Sequence, residues 1–349
     1  MYRGHTIGVV VPAYNEADHV EGVLATLPGF VDRVYVVDDR STDDTWDAIT
    51  SFVESRDRQE VTDRDGLDED PVSEDPPAVP DGGRAAWSRF VPIRHAENQG
   101  AGGALRTGYR HAHADGVDVT VAMDADGQMD PDRMRALLDP IVGGVADYTK
   151  GNRLGTGEDS REMPPFRLLG NRLLTALTKL SAGYWHLQDP QNGYTAISHR
   201  ALAAIDLDRI PDDHDYTNDL LAQLNVAGMC VADVAMPAKY GDEESTIDYR
   251  TFVPATLGTL AYGFIHRMAR TYLENGRYTV PALYAAATAG AAGSALAAIG
   301  VLGAAIAGSV AIWPALLVPV ATVVLTVLAF VGGTMIDAAH NRPLGVTRT

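Results

Sequence analysis

Between residues 278 and 336 the chain carries no Asp, Glu, Lys or Arg. One bilayer crossing takes roughly 20 apolar residues, so this stretch is long enough for two. Gly308, Ser309 and Pro314 divide it into spans of about 280–307, rich in Ala and Gly, and 313–336, rich in Val and Leu. A soluble hairpin would have to bury two helices that have no polar face. The pattern predicts a transmembrane hairpin over 278–337 and a short tail, 338–349. Arg267, Arg270 and Arg277 precede the hairpin, Arg342 and Arg348 follow it, and the link between the spans is uncharged. Positive flanks stay in the cytoplasm, which puts both termini in the cytosol and the link outside. The apolar run at 7–11 is bracketed by polar and charged residues and does not read as a signal peptide.

Composition narrows what the remaining chain can do. With 28 Lys and Arg against 46 Asp and Glu, the formal charge is -18. Nucleic acid is excluded as a partner, because binding its phosphates takes clustered cations. Lysine occurs only at Lys150, Lys179 and Lys239, and Asp outnumbers Glu. Such a surface suits a salt-rich cytosol, where ions screen self-repulsion, so a halophilic source is expected. The lone Cys230 leaves no intramolecular disulfide and fits a reducing compartment.

In the first half, β-branched runs at 7–11, 34–37, 90–93 and 117–123 alternate with helical spacing at 17–27, 45–53, 101–114 and 131–138. This alternation predicts an α/β domain over residues 1–250, a mostly parallel sheet covered by helices on both faces. Ligands of such sheets gather at the carboxyl ends of the strands. Residues 54–89 break the pattern: they are acidic, rich in Pro, Asp and Gly, and read as a disordered surface insertion. Over 251–277, Leu257, Leu260, Ala261, Phe264, Ile265, Met268 and Tyr272 share one helical face, with Arg267 and Arg270 largely off it. That predicts a juxtamembrane amphipathic helix lying on the lipid bilayer, its arginines toward the headgroups.

Three of the predicted strand ends carry polar clusters. The first is followed by Pro12-Ala13-Tyr14-Asn15-Glu16, the second by Asp38-Asp39-Arg40-Ser41-Thr42-Asp43-Asp44, the fourth by Asp124-Ala125-Asp126-Gly127-Gln128. One such cluster alone would read as a helix cap; three in order mark a nucleotide-binding edge. In an extended segment Asp124 and Asp126 project to the same side. Two hard oxygen donors, with Gln128 adding an amide oxygen, suit Mg²⁺ or Mn²⁺ rather than zinc.

Together, VPAYNE at 11–16, DDRSTDDT at 38–45 and DADGQ at 124–128 resemble the family-two glycosyltransferases of GT-A fold, specifically the dolichyl-phosphate mannose and polyprenyl-phosphate glucose synthases. The stretch from Asn98 to Gly108 is similar to that family's Asn-x-Gly-x-Gly-x-Ala helix start, and Lys150-Gly-Asn-Arg153 stands where it has Gly-Ser-Arg. Asp189-Pro-Gln-Asn-Gly-Tyr194 and Tyr240-Gly-Asp-Glu-Glu-Ser245 resemble its Asp-x-x-x-Gly-Phe/Tyr and Gly-Glu-Ser segments. The likeness covers residues 6–245 apart from the insertion. Ala101 replaces a usual Lys or Leu, and Thr246 a usual basic residue.

The resemblance implies inverting transfer of a sugar from a nucleotide-sugar donor, GDP-mannose or a UDP-hexose, to dolichyl or polyprenyl phosphate. It implies that Pro12, Tyr14, Glu16, Val37 and Asp39 hold the nucleoside, with Glu16 or Asp39 accepting from base or ribose. Asp124, Ala125, Asp126 and Gln128 would meet the diphosphate and metal, while Arg153 and Lys239 neutralise phosphate oxygens. A phosphate acceptor is already an anion and needs no base. A hydroxyl acceptor would need one, and Asp189 is the nearest candidate; otherwise Asp189 is structural or positions the acceptor. A catalytically silent scaffold of the same fold is the remaining alternative, and the intact acids argue against it. The transmembrane helices would also offer a surface for a homo-oligomer.

Overall fold

The computed structural model describes residues 1–65, 88–153, 165–213, 215–236, 249–307 and 317–348. One sheet is built from β1 (Ile7–Ala13), β2 (Arg33–Asp38), β3 (Phe90–Arg94), β4 (Val119–Ala122), β5 (Tyr148–Asn152), β6 (Thr195–Ser198), β7 (Val231–Ala235) and β8 (Gly345–Arg348). The strand order is β3-β2-β1-β4-β6-β5-β7-β8. Only β6 runs antiparallel, to both β4 and β5; all other neighbours are parallel. The helices are α1 (Val20–Thr26), α2 (Thr45–Asp65), α3 (Gly100–Ala114), α4 (Met134–Val142), α5 (Pro165–Ala182), α6 (His199–Ala204), α7 (Tyr216–Val226), α8 (Tyr249–Arg267), α9 (Thr279–Ile306) and α10 (Leu317–Asn341).

Alternation along the strands sorts side chains into two cores. Ile7, Val9 and Val11 of β1 pack with Val23 and Leu24 of α1, Ile49 of α2 and Leu137 and Leu138 of α4. Val10 points the other way, joining Tyr35, Val37, Leu105 and Tyr109 of α3 and Leu220 and Leu224 of α7. A sheet covered on both faces takes continuous apolar strands, as the sequence of β1 shows. Pro92 sits in β3, the edge strand, where a missing N–H costs least. The expected α/β architecture is therefore the observed one.

Four expectations need revision. First, α2 does not stop at Val53 but runs to Asp65, so the first part of the expected disordered insertion is helical. Its outer turns are rich in Arg, Glu, Asp and Gln, which cheaply extend a helix already nucleated on the sheet. Residues 66–87 lie outside the described residues.

Second, the juxtamembrane helix does not rest one apolar face on the outside. Leu260 and Met268 of that region are buried, Met268 among Leu180 of α5 and Val280 and Tyr284 of α9, whereas Val253, Leu257, Tyr262 and Ile265 are exposed. Third, Arg267 does not face headgroups. It is fully buried, and its guanidinium pairs with Asp337 of α10 at 2.7 Å. A cation so placed is stable only because a carboxylate and two backbone carbonyls meet it.

Fourth, the segment read as a short tail over 338–349 joins the domain. After α10 the chain turns at Arg342–Leu344 and adds β8 to the sheet, parallel to β7, with Val231 opposite Gly345. The domain read as residues 1–250 is thus completed by a strand from the far end of the chain.

Helices α9 and α10 are each long and apolar enough to cross a membrane. They lie antiparallel, since Tyr284 pairs with Thr334 while Ser294, farther along α9, donates to Thr322 at 2.8 Å. Leu296, Ile299, Ile306, Val318 and Leu325 are exposed, with none of the described residues packed over them.

Truncation after Leu344 removes one of the two parallel neighbours of β7 and leaves β7 as the sheet edge. Each lost ladder hydrogen bond is expected to cost about 1 kcal/mol, which in a domain of this size is about 2–4 °C of melting temperature. A truncated protein that melts like the full chain would show that β8 adds nothing.

Candidate active site

The loops after β1 and β2 are laced together where both strands end. The backbone N–H of Asn15 donates to Ser41 Oγ at 3.0 Å and that of Glu16 to Thr45 Oγ1 at 2.8 Å. The Asn15 side chain returns the contact, accepting from Thr42 N at 2.9 Å. Asn15 and Arg40 both hold left-handed backbone angles, φ 57° and 65°, so the two facing turns are held in a conformation rare for residues with a Cβ. Asp43 accepts from Thr45 N and starts α2, the capping role its sequence suggested.

Asp39 is buried at this edge. Its Oδ1 accepts from the Gln99 N–H at 2.8 Å and pairs with His95 Nδ1 at 2.7 Å, and the other ring nitrogen of His95 contacts Thr107. Asn98 donates to the Asp39 carbonyl. The carboxylate expected to meet a nucleoside is thereby fixed by β3's exit loop and α3. Glu16 is partly exposed and contacts His19 at 3.1 Å. Tyr14 is exposed and Pro12 partly so. Val37 and Ala125, in contrast, are buried in the two cores, so neither offers a side chain to a ligand.

Asp124 and Asp126 stand beyond β4, both partly exposed. The extended geometry expected for them is not what forms. The strand ends at Ala122, and Asp126 Oδ1 accepts from Gln128 N at 2.9 Å while Gly127 turns at φ 73°. An aspartate that bonds the backbone two residues on bends the chain locally. Asp130, not this pair, caps the helical turn at Pro131. Among the described residues no group of three or more His, Cys, Asp and Glu gathers into a metal site. Two carboxylates with hard oxygens still fit Mg²⁺ or Mn²⁺, which commonly take one or two carboxylates and fill the rest of their shell with substrate phosphates and water.

The segment Asp189–Tyr194 closes in from the opposite side. At Gly193 a Cβ would lie 3.1 Å from Asp124 Oδ2, so the backbone here passes close to the carboxylate and a side chain would crowd it. Asp189, also buried, holds Arg153 at the end of β5 with Nε–Oδ2 2.8 Å and Nη2–Oδ1 3.3 Å, and accepts from the Arg153 N–H as well. That grip suits a carboxylate that orients a cation, not one that takes a proton. Asp124, Arg153 and Asp189 are thus drawn to one place. Lys239 and Tyr240–Ser245 lie outside the described residues.

Sequence reasoning quoted Lys150 without giving it a role. It lies in the interior of β5, fully buried, and its Nζ donates to the Asn192 carbonyl. Burial pulls its pKa down to about 7, against the opposing charges of Asp189, Asp233 and Asp124. Asp233 on β7, bonded to Asn152 at 2.9 Å, is pushed up to about 6, mainly by burial. The signal was available: a lysine in the middle of a strand whose neighbours are all buried needs a reason. His95 and Asp233 had no comparable signal, because only the fold sets them beside Asp39 and Lys150.

The sequence model for "Glycosyl transferase family 2" matches residues 8–66 and 82–205, which span every one of these loops except the one after β7. The chain belongs to glycosyltransferase family 2. It is a glycosyltransferase of GT-A fold, as the resemblance implied. This family-two enzyme is 30% identical, over 57% of its length and 72% of the relative's, to a UDP-N-acetylglucosamine–dolichyl-phosphate N-acetylglucosaminyltransferase of Methanococcus voltae. It is 29% identical, over 58% of its length and 70% of the relative's, to an undecaprenyl-phosphate mannosyltransferase of Micrococcus luteus. The glucosyl-3-phosphoglycerate synthase of Mycobacterium tuberculosis shares its fold, with TM-score 0.50 at 21% identity over 75% of this chain and 80% of that one.

The Lys150 environment sets a pH dependence of stability. The unfolded lysine holds its proton up to about 10.5, the folded one only to about 7. Between those values the unfolded state binds more protons, so stability rises with pH there, and the full penalty is present below 7. Relative to Lys150→Met, the wild type is expected to gain up to about 1.4 kcal/mol per pH unit between 7 and 10. Parallel pH profiles of melting temperature for the two proteins would overturn this.

Proposed function

We propose that this glycosyltransferase moves a hexose from a nucleotide-sugar donor to the phosphate of a dolichyl or polyprenyl lipid, with inversion at the anomeric carbon. The observation that carries the reading is the meeting of Asp124, Arg153 and Asp189 in a domain whose last strand returns from an apolar hairpin. The names of the two relatives, each a transferase to a polyprenyl-type phosphate, agree with it.

The nucleoside lies over the loops after β1 and β2, with Glu16 and Asp39 accepting from base or ribose and Tyr14 and Pro12 along its side. The diphosphate reaches Asp124, Asp126 and Gln128, the residues that would hold Mg²⁺ or Mn²⁺; the cation supplies charge neutralisation at the leaving group. Arg153, held in place by Asp189, brings the acceptor phosphate beside an anionic donor, and Lys239 contributes a second positive charge. A phosphate oxygen forms a bond to the sugar's anomeric carbon from the face opposite the diphosphate. The carbon–oxygen bond to the diphosphate breaks, and the nucleoside diphosphate leaves with the electron pair. No proton moves, which is why the site needs cations more than a base. A hydroxyl acceptor would ask Asp189 to be that base, and its engagement by Arg153 speaks against it.

Asp126→Ala is expected to lower kcat by about two to three orders of magnitude while the fold persists, the usual scale for losing a stabiliser of developing charge. Equal turnover in the variant, or undiminished wild-type turnover in excess chelator, would refute the assignment. The substrate class is tested by supplying labelled nucleotide sugars with polyprenyl phosphate and analysing the lipid fraction for an acid-labile sugar phosphate.

Both spans cross the bilayer in this reading, and the domain faces the cytosol, where nucleotide sugars reside. A reporter after Thr349 is then expected to read cytoplasmic and one inserted at Ser309 external. A terminal reporter that reads external would sink the orientation.

A further inference from the structure

Beneath the hairpin lies a polar cluster that the reaction as described does not use. Arg267 at the end of α8 and Asp337 on α10 are both fully buried and meet side by side, Nη1–Oδ1 2.7 Å and Nη2–Oδ2 3.0 Å. Every other hydrogen bond of the pair leads somewhere specific. Arg267 donates from Nε to the Ser181 carbonyl and from Nη2 to the Leu180 carbonyl, both at 2.8 Å, gripping the last turn of α5. Carbonyls at a helix C-terminus lack partners within the helix and carry partial negative charge, so a guanidinium suits them. Asp337 accepts from the Tyr272 hydroxyl at 2.6 Å, from Asn341 Nδ2 at 2.9 Å and from the Trp185 indole N–H at 3.2 Å.

That last bond matters most. After α5 the chain turns at Gly183, φ 79°, where a Cβ would lie 2.9 Å from Arg267 Nη1, so any larger residue would collide with the pair. The next three residues are each anchored. The Tyr184 hydroxyl donates to the Met229 carbonyl at 2.8 Å, Trp185 to Asp337, and His186 Nε2 contacts the Val231 carbonyl of β7 at 3.0 Å. Three residues further on stands Asp189, which holds Arg153.

We propose that Asp337 is a positioning residue for the acceptor step: through Trp185 and Arg267 it sets the segment that carries Asp189, and so the direction in which Arg153 presents its charge. The proposal rests on the reading of Arg153 as the acceptor-phosphate cation. One carboxylate on α10 thereby ties the helix that carries the chain through the bilayer to the residue that meets a bilayer-borne substrate. A pair that only added stability could be exchanged for apolar side chains of similar volume with little loss. A positioning pair cannot, because Trp185 would lose its acceptor.

The test uses the full chain in lipid nanodiscs and three variants: Asp337→Asn, the double change Arg267→Met with Asp337→Leu, and Trp185→Phe, which removes the indole N–H with part of the ring and leaves both members of the ion pair. Spin labels at Gln188 and Met335, in a Cys230→Ser background, report the distance between the segment and α10 independently of any substrate. The wild type is expected to give one narrow distance, and Trp185→Phe a broadened one in a protein that still unfolds cooperatively. Its kcat/KM for polyprenyl phosphate is expected to fall about 10- to 100-fold, the scale of a misplacement near 1 Å, with the KM for the donor unchanged. The double variant is expected to melt above Asp337→Asn yet keep the acceptor defect. A narrow distance in Trp185→Phe, or wild-type acceptor kinetics in a folded double variant, overturns the proposal. Should the labels broaden while even the wild type transfers nothing to polyprenyl phosphate, the positional coupling stands. What then fails is the acceptor, and with it the step assigned to Asp337.

Discussion

A parallel sheet buried on both faces leaves its strand ends as the places where backbone and polar side chains can meet a ligand. Everything chemical in this chain follows from that constraint. The interiors of β1, β2 and β4 are buried, and just beyond their ends come Tyr14-Asn15-Glu16, Asp39-Arg40-Ser41 and, after Met123, Asp124-Ala125-Asp126. The register places Pro12 opposite Val37 and Ala13 opposite Asp38, so two of these clusters emerge at one height. Their mutual hydrogen bonds then hold both turns in left-handed geometry that neither would keep alone.

Charge is the second constraint. In the proposed reaction, a chain with a net charge of -18 gathers a donor and an acceptor that are both anions. Three of its cations are held by partners, and of these only Arg153 is assigned to meet phosphate. Arg153 is clamped by Asp189, Lys150 is sealed beneath the Asp189–Tyr194 segment, and Arg267 is locked to Asp337. Holding a cation costs stability when its surroundings are dry, as the depressed pKa of Lys150 records. It also removes the reorganisation that a mobile side chain would need on meeting phosphate.

How much of this was legible in the sequence follows from how local each signal is. The apolar runs of β1 and β2 and the motifs behind them are contiguous, so the sheet, its helices and the three polar clusters could be read directly. The geometry of Asp124 and Asp126 could not, because a turn closed by Asp126 and Gly127 replaced the strand that the spacing assumed. Val37 and Ala125 belong to the motifs yet face the cores, a distinction between side chain and backbone that residue patterns do not carry. The role of Arg267 was inverted for a related reason. Helical periodicity sets it off the apolar face, but says nothing of a partner seventy residues away on α10. β8 was missed because four residues with two valine-like positions, after a helix, look like a tail until β7 offers them an edge.

The hairpin is therefore bracketed by the domain rather than hung from it. On one side α8 packs along the domain, with Leu260 buried and the Ser181 hydroxyl donating to the Leu260 carbonyl at 2.8 Å. On the other, α10 ends in Asn341, which accepts from Asn225 of α7 at 2.9 Å, and the chain re-enters the sheet as β8. A single flexible linker would let the domain drift over a range of heights above a bilayer. Two attachments, each built into the domain's own packing, fix both height and tilt. The apolar side chains left outward on α8, Val253, Leu257, Tyr262 and Ile265, form a surface of the kind that lipid would cover. With the lipid-phosphate acceptor proposed above, confined to the depth of the headgroups, a fixed height would replace part of the binding energy that a soluble enzyme has to supply through contacts.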